Sequence, residues 1–269
     1  MNEPTITYTH GHHESVLRSH RWRTAENSAA YLLGELEAGL ALLDVGCGPG
    51  NITIDLASRV SPGRVVGIDA AATVVDTARA EARARGATAV EFKVADVYEL
   101  PFDDGEFDVV HSHQVLQHLA DPVAALRQMR RVCRSGGLVA ARDSDYETMT
   151  WYPESDGITR WLAMYRNVAR GNGAEPDAGR RLLHWANAAE FSDVRASASA
   201  WCYSSSDERE WWGGLWADRV TKSALGDQAV EQGFATRSDL EVMAAAWRQW
   251  AAEPDGWFAL LHGEILCRP

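Results

Sequence analysis

Three glycines at alternate positions, Gly46, Gly48 and Gly50, stand between a short apolar run and the start of a helical pattern. The run is Leu42-Leu43-Asp44-Val45, and the helical pattern covers residues 52–60. A strand that turns through glycine into a helix aims unpaired backbone N–H groups at whatever lies before the helix N-terminus. Glycine suits such a turn because a ligand must approach bare main chain there. The spacing limits the ligand. A dinucleotide fingerprint has glycine at its first, third and sixth positions, and the sixth here is Asn51. No Lys-Ser/Thr pair follows the turn, which excludes a phosphate-binding P-loop.

The elements that must hold this turn follow from the pattern around it. Residues 64–69, 90–95, 107–112 and 138–142 read as further strands, and residues 71–85, 115–119 and 122–132 as helices between them. Gly86 stops the first of these helices, and Arg134-Ser135-Gly136-Gly137 reads as a turn. Alternation at this spacing predicts parallel βαβ units with right-handed crossovers. Ligands of such sheets bind at the carboxyl ends of the strands. Asp69, Asp96, Ser112, His113, Asp143 and Asp145 all fall at those ends. His111 and His113 are expected to face opposite sides of a strand, one of them buried and merely hydrogen-bonded. Ahead of the first strand, residues 15–23 and 25–36 read as helices, with Thr24 capping the second and Asn27 at the box position. After residue 146 the alternation stops. Residues 157–170, 177–190, 206–225 and 238–252 read as helices, and 194–203 and 258–267 as strands.

Composition narrows the class. A chain of 269 residues, 46% hydrophobic, suits one α/β domain with an elaboration. A net charge of -12 and a pI near 5.2 argue against a nucleic-acid backbone or an anionic membrane as partner. The N-terminus is polar and histidine-rich with no apolar signal segment, and no apolar run is long enough to span a membrane. His10, His12 and His13 lack accompanying carboxylate or cysteine ligands, so they read as a flexible lead-in, and no metal is expected. Cys47, Cys133, Cys202 and Cys267 lie far apart and read as free thiols of a reducing cytoplasm. Of the eleven tryptophans, all but Trp22 fall at or after Trp151.

Taken in order, six segments carry a resemblance: Leu42-Leu43-Asp44-Val45-Gly46-Cys47-Gly48-Pro49-Gly50, Val66-Gly67-Ile68-Asp69, Val94-Ala95-Asp96-Val97, Leu100-Pro101-Phe102, Phe107-Asp108-Val109-Val110 and Arg134-Ser135-Gly136-Gly137-Leu138. In this order and spacing the chain resembles the class I S-adenosylmethionine-dependent methyltransferases, most closely their ubiquinone/menaquinone-biosynthesis-like small-molecule branch. The resemblance covers roughly residues 40–145, and His20-Arg21-Trp22-Arg23-Thr24-Ala25-Glu26-Asn27 looks like the leader of the same branch. It implies an α/β fold with a Rossmann-like, mostly parallel seven-stranded sheet, flanking helices and a helical cap inserted in the C-terminal half. Residues 1–40 would be leader helices covering the cofactor site, 41–146 the cofactor-binding core, and 147–269 the cap and last strands.

The resemblance also implies roles. Gly46, Cys47, Gly48, Gly50 and Asn51 would border the methionyl part of S-adenosylmethionine. Asp44 would steer its amino group or orient the loop. Asp69, beside Ala70, would accept both ribose hydroxyls, since a carboxylate offers two acceptor oxygens. Asp96, between Ala95 and Val97, would take the adenine amino group, with the Val97 N–H on the neighbouring ring nitrogen. Ser112, His113, Gln114 and His118 would line the sulfonium and methionine tail. Tyr8, His20, Arg21 or Arg23 would reach the cofactor carboxylate or the acceptor, arginine by its bidentate fork.

The implied reaction is in-line methyl transfer, in which the protein mainly aligns and desolvates. A general base matters only for a hydroxyl or acidic carbon, and His113, His118 and Asp145 are the candidates. The acceptor is expected to be a small, largely apolar or aromatic molecule held under the tryptophan-rich cap, in a cavity lined by at least two of Trp151, Trp161, Trp212 and Trp216, or by Tyr146 and Tyr165, its polar end oriented by Arg160, Arg166 or Arg170. The bland alternative is that the tryptophans fill the core between cap and sheet. Two other functions stay open at this stage: a nicotinamide-dependent oxidoreductase, and a non-catalytic cofactor-binding or regulatory protein. Assembly as a homodimer is also left open.

Overall fold

The computed structural model describes residues 22–269 of the chain. Five parallel strands, β1 (Leu42–Val45), β2 (Val65–Asp69), β3 (Val90–Val94), β4 (Phe107–His113) and β5 (Cys133–Ser144), lie in the order β3-β2-β1-β4-β5. Every residue of β1 is buried, as a central strand covered on both faces must be. Two more strands follow, β6 (Thr150–Tyr152) and β7 (Asp193–Tyr203), and then β8 (Trp257–Arg268). β8 runs antiparallel to β5, from the pair Val139↔Cys267 to Ser144↔His262. β7 lies along the other side of β8, and β6 pairs with the first residues of β8 on the β5 side. The sheet therefore has eight strands rather than the seven expected. The extra one, β6, is three residues long, too short for any period to show in sequence.

Helices cover both faces of this sheet. α1 (Ala25–Ser28), α2 (Ala30–Leu33), α3 (Asn51–Val60) and α4 (Ala72–Ala84) lie on one face, where Leu32, Leu56 and Val60 pack on Leu42, Val65 and Val109. α5 (Pro122–Val132) covers the other. Asp121 caps it through the Ala124 N–H, Pro122 opens it, and Ala125, Leu126, Met129 and Val132 face the sheet. α6 (Asp156–Gly171) leaves the sheet, and α7 (Leu182–Ala188) returns to pack beside α5. α8 (Ser206–Lys222), α9 (Ala224–Glu231) and α10 (Arg237–Ala252) form a separate apolar body with α6. Trp161, Trp216, Trp247 and Trp250 are fully buried in it. Trp161 sits edge-on to Trp216 and Trp247, with ring centroids 4.4 and 4.8 Å apart. This body follows the carboxyl ends of β5 and β7, so it stands over the strand tips.

Several elements differ in extent from expectation. The leader helix over 25–36 is broken at Ala29 into two single turns, although the capping box of Thr24 and Asn27 is present. Residues 177–190 form a 3₁₀ turn, Gly179–Arg181, followed by the short α7. The helix over 206–225 ends before Ser223, whose hydroxyl caps α9 instead. Residues 115–119 make only a 3₁₀ turn, Leu116–His118. The turn at 134–137 is extruded within β5, between the pairs Phe107↔Cys133 and Val109↔Leu138. Among the described residues no helix is long and apolar enough to cross a membrane.

Candidate active site

The glycine turn leaves the tip of β1 with left-handed backbone at Gly46, Gly48 and Gly50, at φ of 69°, 54° and 87°. At Gly46 a side chain is excluded twice, because a Cβ would also lie 2.3 Å from a methyl of Val115. The Cys47 N–H donates to the Ile68 carbonyl at 2.8 Å and ties the turn to β2. Gly50 starts α3 without any side-chain cap, so the first-turn N–H groups of α3 face the turn unclaimed by a capping residue.

Carboxylates flank this cradle in different ways. Asp44 is buried, and its two oxygens are committed: one accepts from Thr53 Oγ1 at 2.5 Å and the other pairs with His111 Nδ1 at 2.8 Å. Asp44 therefore fastens β1 to α3 and β4, which orients the loop. Asp69, at the tip of β2, is half-buried and accepts from the Gly48 N–H at 3.2 Å and the Ala71 N–H at 3.0 Å. Asp96 is exposed, with one oxygen accepting from the Tyr98 N–H at 2.8 Å.

A single cavity of about 720 Å³ runs from this cradle to the cap. Gly46 to Pro49, Asn51, Asp69, Ala70 and Ala95 to Val97 line one end, with Asp44 behind them. His113, Gln114, Val115 and His118 form the middle, and Tyr146, Tyr203, Trp211, Trp212, Trp216 and Arg219 the far end. Trp22 and Arg23 close the side. Trp22 lies edge-on to Trp201 with centroids 5.1 Å apart, and Arg23 donates to Gln114 Oε1 at 2.5 Å.

Burial sets the charge state of the middle section. Desolvation holds His113 well below the usual imidazole range, and the nearby Arg23 and Arg142 cations push it further down. Desolvation and then Arg23 lower His118 to about 3. Both rings are neutral at ordinary pH. His118 Nε2 lies 3.0 Å from the Gln117 amide. Neither ring nitrogen of His113 has a partner among the described residues. Gln114, in left-handed backbone, donates to Ser144 Oγ at 2.7 Å and meets His262 Nε2 at 2.9 Å.

Not every expected residue reaches the cavity. His111 and His113, two apart on β4, share one face of the strand rather than opposite ones, and both are buried rather than one of them. Ser112, between them, points to the opposite face and is sealed in. Gly50 acts behind the cradle, where a Cβ would meet Phe92 at 2.9 Å. Asp145 is corrected as a candidate base. Ser144 faces the cavity, so its neighbour faces away, and there Arg180 holds it with contacts of 2.6 and 2.8 Å. Arg166 and Arg170 are taken by Asp177, and Arg160 borders a separate surface cleft. Tyr8, His20, Arg21 and the histidines of residues 10–13 lie outside the described residues.

Sequence reasoning missed Ser144, Tyr203 and Arg219 as lining residues. Arg219 had a usable signal, since Trp212, Trp216 and Arg219 are spaced four and three apart and share one face of α8. Of the aromatic residues expected to line a cavity under the cap, Trp212, Trp216 and Tyr146 border the one that reaches Gly46 and His113, whereas Trp151, Trp161 and Tyr165 pack in or against the cap core.

Comparison with known proteins then decides the family. A family model described as a methyltransferase domain matches residues 36–195. An uncharacterized methyltransferase of Schizosaccharomyces pombe is 34% identical over 281 aligned residues, covering 99% of this chain and 98% of that one. The chain belongs to the methyltransferase-domain family. A demethylmenaquinone methyltransferase of Lactococcus lactis is 32% identical over 124 residues, 46% of this chain and 49% of its own length. The fold is also that of Haemonchus contortus phosphoethanolamine N-methyltransferase, solved with phosphomonomethylethanolamine and S-adenosylhomocysteine. That likeness has a TM-score of 0.57 at 18% identity and covers 91% of this chain and 53% of the other.

This methyltransferase is thus of class I, similar over less than half of its length to enzymes of menaquinone biosynthesis, and S-adenosylmethionine is the cofactor of the class. The nicotinamide alternative falls away. The residues at the strand tips fit that cofactor: bare glycine backbone, an uncapped helix start, and two carboxylates, Asp69 and Asp96, with room beside them.

Proposed function

We propose that this methyltransferase moves the methyl group of S-adenosylmethionine, in line, to a small and largely apolar or aromatic acceptor bound against the cap. One observation carries this reading: a continuous cavity with the glycine turn and Asp69 at one end and Tyr146, Trp212 and Trp216 at the other. Cofactor and acceptor then meet in one space. Aromatic rings with polar edges suit flat ligands of this kind.

Asp69 would hold the ribose hydroxyls, Asp96 and the Val97 N–H the adenine edge, and Gly46 to Gly48 the methionyl part. Arg23 would reach the carboxylate of the amino-acid tail. The bound cofactor supplies an already activated methyl group. The chain supplies alignment, and its aromatic walls exclude water. His113 would face the acceptor as a neutral imidazole, and for a hydroxyl acceptor one of its ring nitrogens would take the proton. His118 is the weaker candidate, since its Nε2 already engages Gln117. Residues 147–269 would choose the acceptor, and residues 1–40 would cover the cofactor. The four free cysteines support a reducing cytoplasm as the setting, and the acidic surface argues against nucleic acid as the acceptor.

Calorimetry with S-adenosylhomocysteine tests the reading. Asp69→Ala removes the acceptor for the ribose hydroxyls and is expected to weaken binding by about 1–3 kcal/mol. Unchanged affinity in a variant whose circular dichroism is intact would overturn the assignment.

A further inference from the structure

Gln114 follows the last residue of β4 and is held in left-handed backbone at a φ of 53°. A non-glycine residue seldom adopts that conformation unless its surroundings impose it. Its N–H donates to the Arg142 carbonyl at 2.7 Å. Its side chain touches three groups. Arg23 donates to Oε1 at 2.5 Å, and Nε2 lies 2.7 Å from Ser144 Oγ and 2.9 Å from His262 Nε2.

A guanidinium can only donate, so the Gln114 atom that faces Arg23 must be the amide oxygen. The amide nitrogen then faces Ser144 and His262 and spends one hydrogen on each. Burial holds His262 well below the usual imidazole range, so the neutral ring accepts at Nε2 and carries its hydrogen on Nδ1. Ser144 accepts at Oγ, so its own hydrogen must point elsewhere. Among the described residues nothing accepts that hydrogen. Ser144 is buried, lines the cavity, and is fixed from behind by its N–H on Gln117 Oε1 at 3.2 Å. It sits at the tip of β5, with β4 between it and the glycine turn of β1, and Tyr146 and Leu260 line the cavity with it. Each donor in the series Arg23, Gln114, Ser144 polarises the next, which strengthens the last hydroxyl as a donor.

We propose that Ser144 is a specificity-determining residue, whose hydroxyl, directed by Gln114, donates to a carbonyl oxygen on the methyl acceptor while the ring system of that acceptor lies toward Tyr146 and Trp212. This rests on the methyltransferase reading and narrows its acceptor from flat aromatic molecules in general to those that carry a carbonyl. A carbonyl oxygen asks only for donors, and the carboxylates that line the cavity, Asp44, Asp69 and Asp96, all belong to the cofactor end. Gln114 is a positioning residue, because it acts on the acceptor through Ser144.

The test is calorimetric titration of the full chain, saturated with S-adenosylhomocysteine, with two matched pairs: 1-tetralone against tetralin, and 1-indanone against indane. The members of a pair share a ring system and differ in the carbonyl. At least one ketone is expected to bind, and Ser144→Ala to weaken it about threefold to tenfold, the size of one net hydrogen bond, while its hydrocarbon is unaffected. Gln114→Glu keeps the shape but presents only acceptors, so the Ser144 hydroxyl turns toward the new carboxylate and away from the ligand. That variant is expected to weaken the ketone as Ser144→Ala does, and the double variant to lose no more, because both changes remove the same bond. A purely structural role for either residue would weaken ketone and hydrocarbon alike. Circular dichroism checks that each variant is folded. The proposal is overturned if neither ketone binds, if Ser144→Ala leaves the ketone unchanged or weakens both members of a pair equally, or if Gln114→Glu leaves ketone binding intact. It is also overturned if Ser144→Ala weakens S-adenosylhomocysteine, because Ser144 then serves the cofactor. If the wild-type protein does not bind S-adenosylhomocysteine, the methyltransferase reading has failed, and that outcome is distinct from the others.

Discussion

Three imidazoles around the cavity, the buried His113 and His262 and the half-buried His118, are all held below the ordinary histidine range by desolvation, with nearby arginine cations adding to it. Each stays neutral in the folded chain at a pH where the unfolded chain binds a proton. A depressed imidazole therefore favours the folded state less as pH falls below about 6.5. Asp143 works the other way. Burial raises it to about 7, so the folded chain keeps a proton that the unfolded chain releases, and its contribution fades as pH rises from about 4 to 7. Three imidazoles outweigh one carboxyl, and each net proton changes stability by about 1.4 kcal/mol per pH unit. Urea unfolding is expected to give a midpoint that drops on acidification from about pH 7 to 5.5. A flat or rising midpoint would show that these rings are solvated. At this scale the sequence revealed which residues sit at strand tips but not which way they face. Ser144 and Asp145 are neighbours at one tip, and strand alternation sends one into the cavity and the other to Arg180.

The division of labour among the tryptophans becomes visible at the scale of helices and strands. Trp212 and Trp216 present their rings to the cavity from α8, while Trp247 on α10 packs among Trp161, Trp216 and Trp250. Trp247→Ala should therefore cost about 3–5 kcal/mol of stability, the range for emptying a buried aromatic site. In urea this reads as a lower midpoint, and the fold of the sheet should persist in the remaining native protein. A cost below about 1 kcal/mol would mean that the cap collapses around the gap, or that its core is loosely packed. The βα units were legible because apolar runs end in glycine or acid at the strand tips, as in β1 and β2. The cap was legible only as helical. Its breaks depend on single capping groups such as the Ser223 hydroxyl, and β6 exists through its pairing with β8 rather than through any pattern of its own.

For the whole molecule, the sheet supplies a rigid edge and the cap supplies a wall, and the cavity between them joins residues far apart in the chain. Gly46 and Trp216 come from opposite ends of the fold, and no local pattern relates them. The glycine turn could be read from sequence because its geometry is local, whereas the acceptor end is assembled from β5, β7 and α8 and could not. The central claim is that one cavity holds the cofactor at the strand tips and the acceptor under the cap. Diffraction from crystals grown with S-adenosylhomocysteine tests it most directly. The expected result is a ribose within hydrogen-bond distance of Asp69, adenine beside Asp96 and Val97, and the homocysteine sulfur facing His113 and the rings of Tyr146 and Trp212. A nucleoside bound away from Asp69, or a sulfur turned from the cap toward solvent, would contradict it.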